Sequence, residues 1–359
     1  MKRFLVKTIM MVIPIISVVL YYVIAIEPHR NGDLGKLGFI AFNDDYNSFI
    51  AKEELDSLYV INIDNLEQID CDSAILTIGD SFSQQGKGGY QNFLSNLYPG
   101  WKIYNFNLKD GSDNKFQLFV DWLIENKTLP PIVIVESVER YLSGRLTSLD
   151  FSGAHKVLEK NDVVEPIQQD SIGGFKKYIK QFIIYKLAKS LKKDFLNTQE
   201  YVKKHLYIDN PVKHLRLKQN LFSCKGSETD LYFYHDDLIS VTEDKYLAGQ
   251  QKLDSLLSIT EQKGICFLFL VASDKYDLYK DFTCNDNYNV EGQLSYYKKY
   301  NNKNNFLNSK ELLYSHLENG EKDVYRCNDT HWSPLAAMYV ANEIKRRLDL
   351  QILTRKTKR

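Results

Sequence analysis

The 359-residue sequence lacks any excess of charge, because 46 lysines and arginines are balanced by 46 aspartates and glutamates. Proteins that bind nucleic acid through their overall field carry a strong basic excess, so this balance argues against a nucleic-acid partner. No glycine motif of the Walker or dinucleotide type is present. Apart from His331, the histidines show no spacing typical of a metal site; they lie at positions 29, 155, 205, 214, 235 and 316. We therefore expect no cofactor and no metal ion.

Cysteine is also scarce. Five cysteines spread over the whole chain are too few for a disulfide scaffold. Cys266 lies in the apolar run "ICFLFLVAS", which predicts a small buried side chain. Cys284 and Cys327 are a candidate pair if the domain lies in an oxidising compartment, although spacing alone does not establish the bond.

One long uncharged run is present near the N-terminus. Residues 8–26 contain no charged side chain, and about 20 such residues cross a bilayer as a helix. Residues 1–7 contain three cations, which predicts that this tip is cytoplasmic. We expect an uncleaved single-pass anchor in the cell inner membrane, with the rest of the chain periplasmic or extracellular. A cleaved signal peptide is the alternative, but "YVIAIEPH" offers a poor cleavage site.

The rest of the chain divides by pattern. Residues 27–70 are mixed and polar, typical of a linker that leads into the domain. From residue 71 to 350 we expect one α/β domain. Short apolar runs predict strands at 74–79, 101–107 and 132–137, and amphipathic periods predict helices at 90–97 and 114–127. Strands that alternate with helices in this way form a parallel sheet.

A basic, helical insertion is expected at about 141–240. Its segment from 173 to 220 contains twelve lysines or arginines and three acids. We interpret this segment as a helix packed by its aromatic face, with adhesion to a membrane surface or an acidic polymer as the alternative. The α/β pattern then resumes with a helix near 243–262 and a strand at 265–273. A final helix follows Ser333, and a basic tail at 351–359 is expected to fray.

The stretch "ILTIGDSFS" places a hydroxyl directly after the first buried strand. Gly79-Asp80-Ser81 alone usually forms a turn in which Asp80 or Ser81 caps the next helix. The carboxyl ends of parallel strands, however, are where open α/β sheets place their sites. Ser81 is therefore a candidate nucleophile.

A second polar pair, Asp329 and His331, precedes the final helix in "NDTHWSP". In a loop, the Asp329 carboxylate can accept from the Nδ1–H of His331, which leaves Nε2 free as a base. Such a base can take the proton of Ser81 and activate it. Each pair alone is weak, but together they predict a Ser-His-Asp triad.

The two motifs resemble a known family. "GDSFS" is similar to the nucleophile block of the SGNH (GDSL-type) hydrolase superfamily, and "DTHWSP" is similar to its terminal acid-histidine block. "DTHWSPLAA", "VIVESVERYL" and "FLVASDKYDLY" look like the alginate O-acetyltransferase-like branch, where a strand ends in a glutamate followed by an arginine, here Glu136 and Arg140. The resemblance spans roughly residues 72–145 and 230–350.

The resemblance implies a three-layer α/β/α SGNH-hydrolase-like fold with a parallel sheet, preceded here by one N-terminal transmembrane helix. It implies Ser81 as nucleophile, His331 as base and Asp329 as the acid that orients it. The backbone N–H groups of Ser81 and Gly111 would form the oxyanion hole. The superfamily's Gly-x-Asn-Asp block is absent, and "ESVER" occupies that strand end instead. The serine precedes the acid-histidine block, whereas several members of the branch have the opposite order.

Four more residues are expected to support the triad or the substrate. Asp80 caps the turn of the nucleophile. Glu136 and Arg140 are expected to form an ion pair beneath the site. Trp332 either stacks on a sugar ring or packs under the loop and fixes His331, and both interpretations stay open.

The resemblance implies an O-acetyltransferase that modifies hydroxyls of an envelope or exported polysaccharide. The acetyl donor would come from an integral-membrane acyltransferase partner. One alternative is a carbohydrate acetylesterase with the same triad. The other is a non-catalytic glycan-binding or assembly component.

Overall fold

The computed structural model describes residues 8, 10–17, 32–38, 40, 42, 44–108, 113–126, 128–152, 211–285 and 288–358. Residues 10–17 are helical and exposed. Among the described residues, no helix has both the length and the apolar character that a bilayer crossing needs. Residues 18–26 of the expected anchor lie outside that part of the chain, so the anchor stays a prediction. Residues 153–210, most of the expected basic insertion, lie outside it too.

The centre of the structure is a six-stranded sheet in which every pairing is parallel. Its strand order is β1-β3-β2-β4-β7-β8. A two-stranded antiparallel sheet, β5-β6, is separate from it. The strands are β1 Val60–Ile63, β2 Ala74–Gly79, β3 Lys102–Asn107, β4 Ile132–Val138, β5 Val212–Arg216, β6 Asp230–Tyr234, β7 Cys266–Ala272 and β8 Phe306–Asn308.

The strand order creates a switch point at β2. The chain leaves β2 for β3 on one side and then returns to form β4 on the other side. In such a sheet the two connections diverge and leave a crevice at the carboxyl ends of the strands. Ser81 follows β2 at this position, as the parallel-sheet prediction required.

Helices cover both faces of the sheet. Helices α3, α8 and α9 contribute to the core on one face, and α4 and α6 contribute to the core on the other. The α-helices are α1 Gly32–Gly38, α2 Asp44–Ile50, α3 Tyr90–Leu97, α4 Asp113–Glu125, α5 Leu142–Thr147, α6 Glu243–Gln262, α7 Lys275–Tyr279, α8 Ser309–Glu318 and α9 Pro334–Lys358.

The central strands are apolar because they are buried on both faces. All six residues of β2 and all seven of β7 are buried. Ile75 belongs to the core on one face and Leu76 to the core on the other, since successive strand residues alternate. Near-continuous apolar runs are what this environment selects. The expectation of a parallel α/β sheet is confirmed.

The last helix, α9, begins at the predicted residue but ends later in the chain than predicted. Ser333 Oγ accepts from Ala336 N–H at 3.3 Å, and Pro334 is the first helical residue. The helix then continues to Lys358 and so includes most of the tail that was expected to fray. Gln351 Nε2 donates to the Phe267 carbonyl at 2.9 Å, which attaches the last turns to the amino end of β7.

The segment expected to be a linker carries ordered elements. It contributes α1, α2 and the edge strand β1. Leu34, Tyr46 and Ile50 from this segment are buried. Its polar composition hides this packing, because the buried residues are widely spaced along the chain.

The cysteines form no disulfide among the described residues. Cys284 is exposed and Cys327 is buried, so the candidate pair does not form. Cys266 is buried, as its apolar neighbours predicted.

Gly79, the last residue of β2, has no room for a side chain. A Cβ there would overlap Ser83 Oγ and the Glu136 carboxyl group. We expect Gly79→Ala to lower the free energy of unfolding by about 1–3 kcal/mol, because the overlap must be relieved by moving the turn or the strand. Urea unfolding followed by circular dichroism measures this loss.

Gly144→Ala is the matched control. Gly144 lies in α5, where the nearest atom to an added Cβ is Lys245 Nζ at 3.9 Å. This change should be neutral or slightly stabilising, since alanine favours a helix over glycine. Equal losses in the two variants would contradict the steric argument.

Candidate active site

The Asp329–His331 pair forms in the loop before α9. Asp329 Oδ1 lies 2.6 Å from His331 Nδ1 and also accepts from the His331 backbone N–H at 3.2 Å. A carboxylate only accepts, so this contact places the imidazole proton on Nδ1. The Nε2 atom is buried and has no hydrogen-bond partner within the described residues. In its neutral form the histidine therefore presents an unprotonated nitrogen on the side away from the acid.

The charges of this pair stabilise each other. Burial lowers the pKa of His331, but the Asp329 carboxylate raises it by more, so the pKa lies above its usual value. Burial raises the pKa of Asp329, but the neighbouring His331 and Arg326 lower it by more, to about 2. Asp329 is therefore ionised at neutral pH.

Lys275 and Asp33 hold the loop that carries this pair. Lys275 Nζ donates to the backbone carbonyls of Arg326 at 2.7 Å and of Cys327 and Asp329 at 3.1 Å each. Burial lowers the pKa of Lys275 to about 8, which still leaves it largely protonated at neutral pH. The Asp33 N–H donates to Asp329 Oδ2 at 3.3 Å. Both oxygens of the Asp329 carboxylate are therefore engaged.

Sequence reasoning did not identify either residue. Lys275 lies inside the quoted block "FLVASDKYDLY", but nothing in that block shows that its ammonium group faces three carbonyls. Asp33 is separated from Asp329 by 296 positions, so no local pattern links them.

Ser81 begins a single 3₁₀ turn, Ser81–Gln84, directly after β2. Its side chain is half-buried, and it makes no hydrogen bond within the part of the chain that the structure describes. The ring of Phe82 lies 4.8 Å from the His331 imidazole between centroids. Gln85 Nε2 donates to the Trp332 carbonyl at 3.0 Å. The turn of the serine and the loop of the histidine are thus in direct contact.

Ser81 and His331 do not hydrogen-bond to each other in this state, since His331 Nε2 has no partner among the described residues. Such contacts are often long before substrate binds and tighten afterwards. The expected oxyanion residue Gly111 lies outside the described residues.

Asp80 fixes the turn from below. Its Oδ1 accepts from Phe82 N–H at 3.2 Å, and its Oδ2 accepts from Val138 N–H at 2.9 Å and from the Arg145 guanidinium. Burial raises the pKa of Asp80, but Arg145 lowers it by more, so the pKa lies below its usual value. Arg145 also donates to Ser137 Oγ at 2.9 Å. This ion pair joins the ends of β2 and β4 to α5.

Glu136 supports the same turn as a neutral acid. Its Oε2 accepts from the Asp80 N–H at 3.0 Å and from Ser83 Oγ at 2.9 Å. Complete burial, and then the charge of Asp80, raise its pKa well above the usual value. Glu136 lies beneath the turn and does not face the solvent.

The expected Glu136–Arg140 ion pair is wrong. Arg140 lies in the turn after β4 and extends toward the end of β7, where it pairs with Asp237 at 3.0 Å and with Asp274. Glu136 extends in the other direction toward β2, and as a neutral acid it offers no charge to an arginine. Arg140 is still close enough to His331 to lower its pKa slightly.

Trp332 packs under the loop. It is fully buried, with ring centroids 4.8 Å from Phe82 and 6.3 Å from Tyr90 in edge-on contact. A ring with no exposed surface cannot stack on a sugar from solvent. The packing interpretation therefore holds, and the tryptophan anchors the position of His331.

One set of potential metal ligands occurs in the described part of the chain. Ligand atoms of Asp33, Asp329 and His331 lie within 4.8 Å of one another. A cation there would have to displace the hydrogen bond between Asp329 and Nδ1. Sequence reasoning missed this set because Asp33 lies so far along the chain from the other two.

Comparison with known proteins finds no family model, no curated protein and no solved structure that matches this chain.

The raised pKa of His331 can be measured directly. We expect its imidazole to titrate above about 6.5 in the folded protein, because Asp329 stabilises the charged form. In Asp329→Asn the carboxylate is gone but the burial remains, so the pKa should fall below that value. Two-dimensional NMR of the imidazole C–H groups measures both, with His214 as an internal control. Titration of His331 below 6.5 in the unmodified protein would contradict this electrostatic account.

The neutral state of Glu136 predicts a pH-dependent stability. Its folded pKa lies above the ordinary value of 4.5, so its favourable contribution is present below pH 4.5 and is lost as the pH rises toward the folded pKa. Glu136→Gln keeps the acceptor and cannot ionise. We expect the variant to gain stability over the unmodified protein as the pH rises, by up to about 1.4 kcal/mol per pH unit.

Chemical denaturation of both proteins at several values between about pH 4 and pH 8 measures the difference in their free energies of unfolding. Glu136→Ala is the comparison, because it removes the acceptor for Asp80 N–H and Ser83 Oγ. That variant should lose stability at every pH, by about 1–3 kcal/mol. A glutamine variant that loses stability with rising pH would show that Glu136 is charged.

Proposed function

We propose that this chain is a serine acyltransferase with an SGNH-like three-layer fold. In this proposal it is a membrane-anchored, extracytoplasmic O-acetyltransferase that acts on hydroxyls of an envelope or exported polysaccharide. The supporting observation is the buried, unpartnered Nε2 of His331, whose other nitrogen is held by Asp329. A buried polar atom without a partner costs about 1–3 kcal/mol, and a catalytic role is one of the reasons for which such an atom is retained.

The geometry of the described residues fits a two-step reaction. Ser81 Oγ attacks the acetyl carbonyl of a donor while His331 Nε2 takes its proton. The tetrahedral intermediate then expels the leaving group, which receives that proton, and acetyl-Ser81 remains. A sugar hydroxyl gives its proton to Nε2 and attacks the acetyl group. The products are the acetylated sugar and free Ser81, protonated again by His331.

Other features have narrower roles in this proposal. The backbone N–H of Ser81 donates to the oxyanion. Glu136 lies at the strand end where the SGNH superfamily has its Gly-x-Asn-Asp block. It is beneath the turn, where it positions Asp80 and Ser83. The ionised Asp329 stabilises the imidazolium that forms in each step. The membrane anchor and the integral-membrane acetyl donor rest on the N-terminal run and on the family resemblance.

Mass spectrometry after incubation with an activated acetyl ester tests the triad. We expect an acetyl adduct on Ser81 and none in Ser81→Ala. His331→Ala should form the adduct at least about 10³-fold more slowly, because the base is missing. Ser255→Ala, in exposed sequence on α6, is the matched serine control and should behave as the unmodified protein.

Two further arms separate the rival functions. Added oligosaccharide should receive the acetyl group; release of acetate alone would favour an acetylesterase. A chelator should leave the adduct unchanged; its loss would favour a metal at Asp33, Asp329 and His331. Acetylation elsewhere, with Ser81 unmodified, would contradict the proposal and favour the non-catalytic glycan-binding role.

A further inference from the structure

A small cavity opens beside the turn that carries Ser81. It has a volume of about 200 Å³, and its wall includes Val60 and Asn62 of β1 and Asn105 and Asn107 of β3. Ser83 and Gln84 of the turn form part of its wall. Asn107 of β3, also in the wall, pairs in register with Gly79, two residues before Ser81. Since neighbouring strands lie about 4.8 Å apart, the cavity is one strand away from the serine.

The wall of the cavity is rich in amides, and the described residues that line it include no charged side chain. An amide both donates and accepts hydrogen bonds, as a sugar hydroxyl does. Arginine and lysine form the stronger, charge-assisted hydrogen bonds to carboxylate and phosphate ligands, and the described lining residues include neither. We call this space the amide cavity, after its five amide side chains: Asn62, Gln84, Gln91, Asn105 and Asn107.

These amides are not all satisfied by one another. Asn105 Nδ2 carries two hydrogens but faces three acceptors: Ser83 O at 2.9 Å, Asn62 Oδ1 at 3.1 Å and Asn107 Oδ1 at 2.6 Å. Gln91 Nε2 also donates to Ser83 O at 2.8 Å, so these three acceptors can all be satisfied within the wall. The side chain of Gln84 is exposed and makes no hydrogen bond among the described residues. The Gln84 amide thus offers the cavity both free donors and a free acceptor.

Two apolar side chains complete the wall. Leu58, which is 49% exposed, and Val60 lie beside the amides. A sugar ring presents hydroxyls at its edge and C–H groups on its faces, so a wall with polar and apolar parts suits it. Pockets for drug-sized ligands measure about 300–1,000 Å³, and this smaller volume fits a single ring.

A larger cavity of about 720 Å³ lies elsewhere and has a different character. Its wall includes Gly264 and Ile265, which precede β7, so it opens at the amino ends of the strands. Charged side chains such as Asp254, Lys303 and Arg355 line it. Size alone would favour this cavity, but it faces the end of the sheet opposite to Ser81.

We propose that the amide cavity is the acceptor subsite and that it binds one uncharged sugar ring of a polysaccharide. This inference rests on the proposed function, because the subsite presents the sugar hydroxyl to acetyl-Ser81. The inference restricts the proposed acceptor to uncharged polysaccharides. It excludes polyuronates and phosphorylated polymers.

Equilibrium binding to the full-length Ser81→Ala protein tests the subsite without any turnover. The probes are neutral tetrasaccharides of glucose, galactose and mannose, and a tetragalacturonate as the charged comparison. We expect saturable binding of at least one neutral probe and at least about tenfold weaker binding of the charged one. Asn62→Ala and Gln84→Ala should each weaken neutral binding about tenfold, since each removes a hydrogen-bonding group.

Gln262→Ala is the matched control, because Gln262 is an exposed amide at the far end of α6. It should leave binding unchanged. Absence of neutral binding, tighter binding of the charged probe, or full affinity in both cavity variants would overturn the inference.

The same variants in otherwise unmodified protein separate this inference from the proposed function. If Ser81 becomes acetylated, the cavity variants should raise the acceptor KM about tenfold, whereas Gln262→Ala should change neither the acceptor KM nor the rate of acetyl-Ser81 formation. An unchanged acceptor KM would refute the subsite alone. Failure to acetylate Ser81, with neutral binding intact and weakened by the cavity variants, would refute the proposed transfer reaction and leave a neutral-glycan site.

Discussion

The buried ion pair between Asp80 and Arg145 is the contact on which the site depends. It attaches the turn after β2 to the end of β4 and to α5. Glu136 lies against the same turn, and two adjacent buried carboxyl groups with one arginine cannot both be charged at low cost. The protonation states of Glu136 and Asp80 are therefore coupled, and the two side chains together hold the turn after β2 as one unit. Ser81 takes its position from that unit, since its own side chain makes no hydrogen bond to any described residue.

The second half of the site is held by different forces. The ammonium group of Lys275 donates hydrogen bonds to three backbone carbonyls of the loop that carries His331. The buried ring of Trp332 packs under the same loop. Backbone N–H groups of α1 also hold this loop, since those of Asp33 and Leu34 donate to the Asp329 carboxylate and the Asn328 carbonyl. Because the two halves meet at Phe82 and His331, a small shift in either half would change the distance between His331 and Ser81, the proposed base and nucleophile. A rigid support on both sides suits a reaction that requires precise orientation.

Much of the scaffold could be predicted from sequence because its signals are local. Strand β2 reads as an unbroken apolar run, and the buried face of α4 follows a helical period. The contact between Asp329 and His331 was predictable because the residues lie two positions apart. By contrast, Arg145 and Lys275 act across tens of residues, so no short pattern identifies their partners. Strand β8 has only three residues and is defined by its pairing with β7.

The placement of α1 links Asp329, the proposed catalytic acid, to the N-terminal part of the chain. Leu34 N–H donates to the Asn328 carbonyl at 3.1 Å, beside the bond from Asp33 to Asp329. A soluble fragment trimmed past residue 38 would keep the whole sheet, yet it would expose this carbonyl and one carboxylate oxygen to water. Removing the first 38 residues would then change the hydrogen bonding of Asp329 and, through it, the pKa of the His331 imidazole.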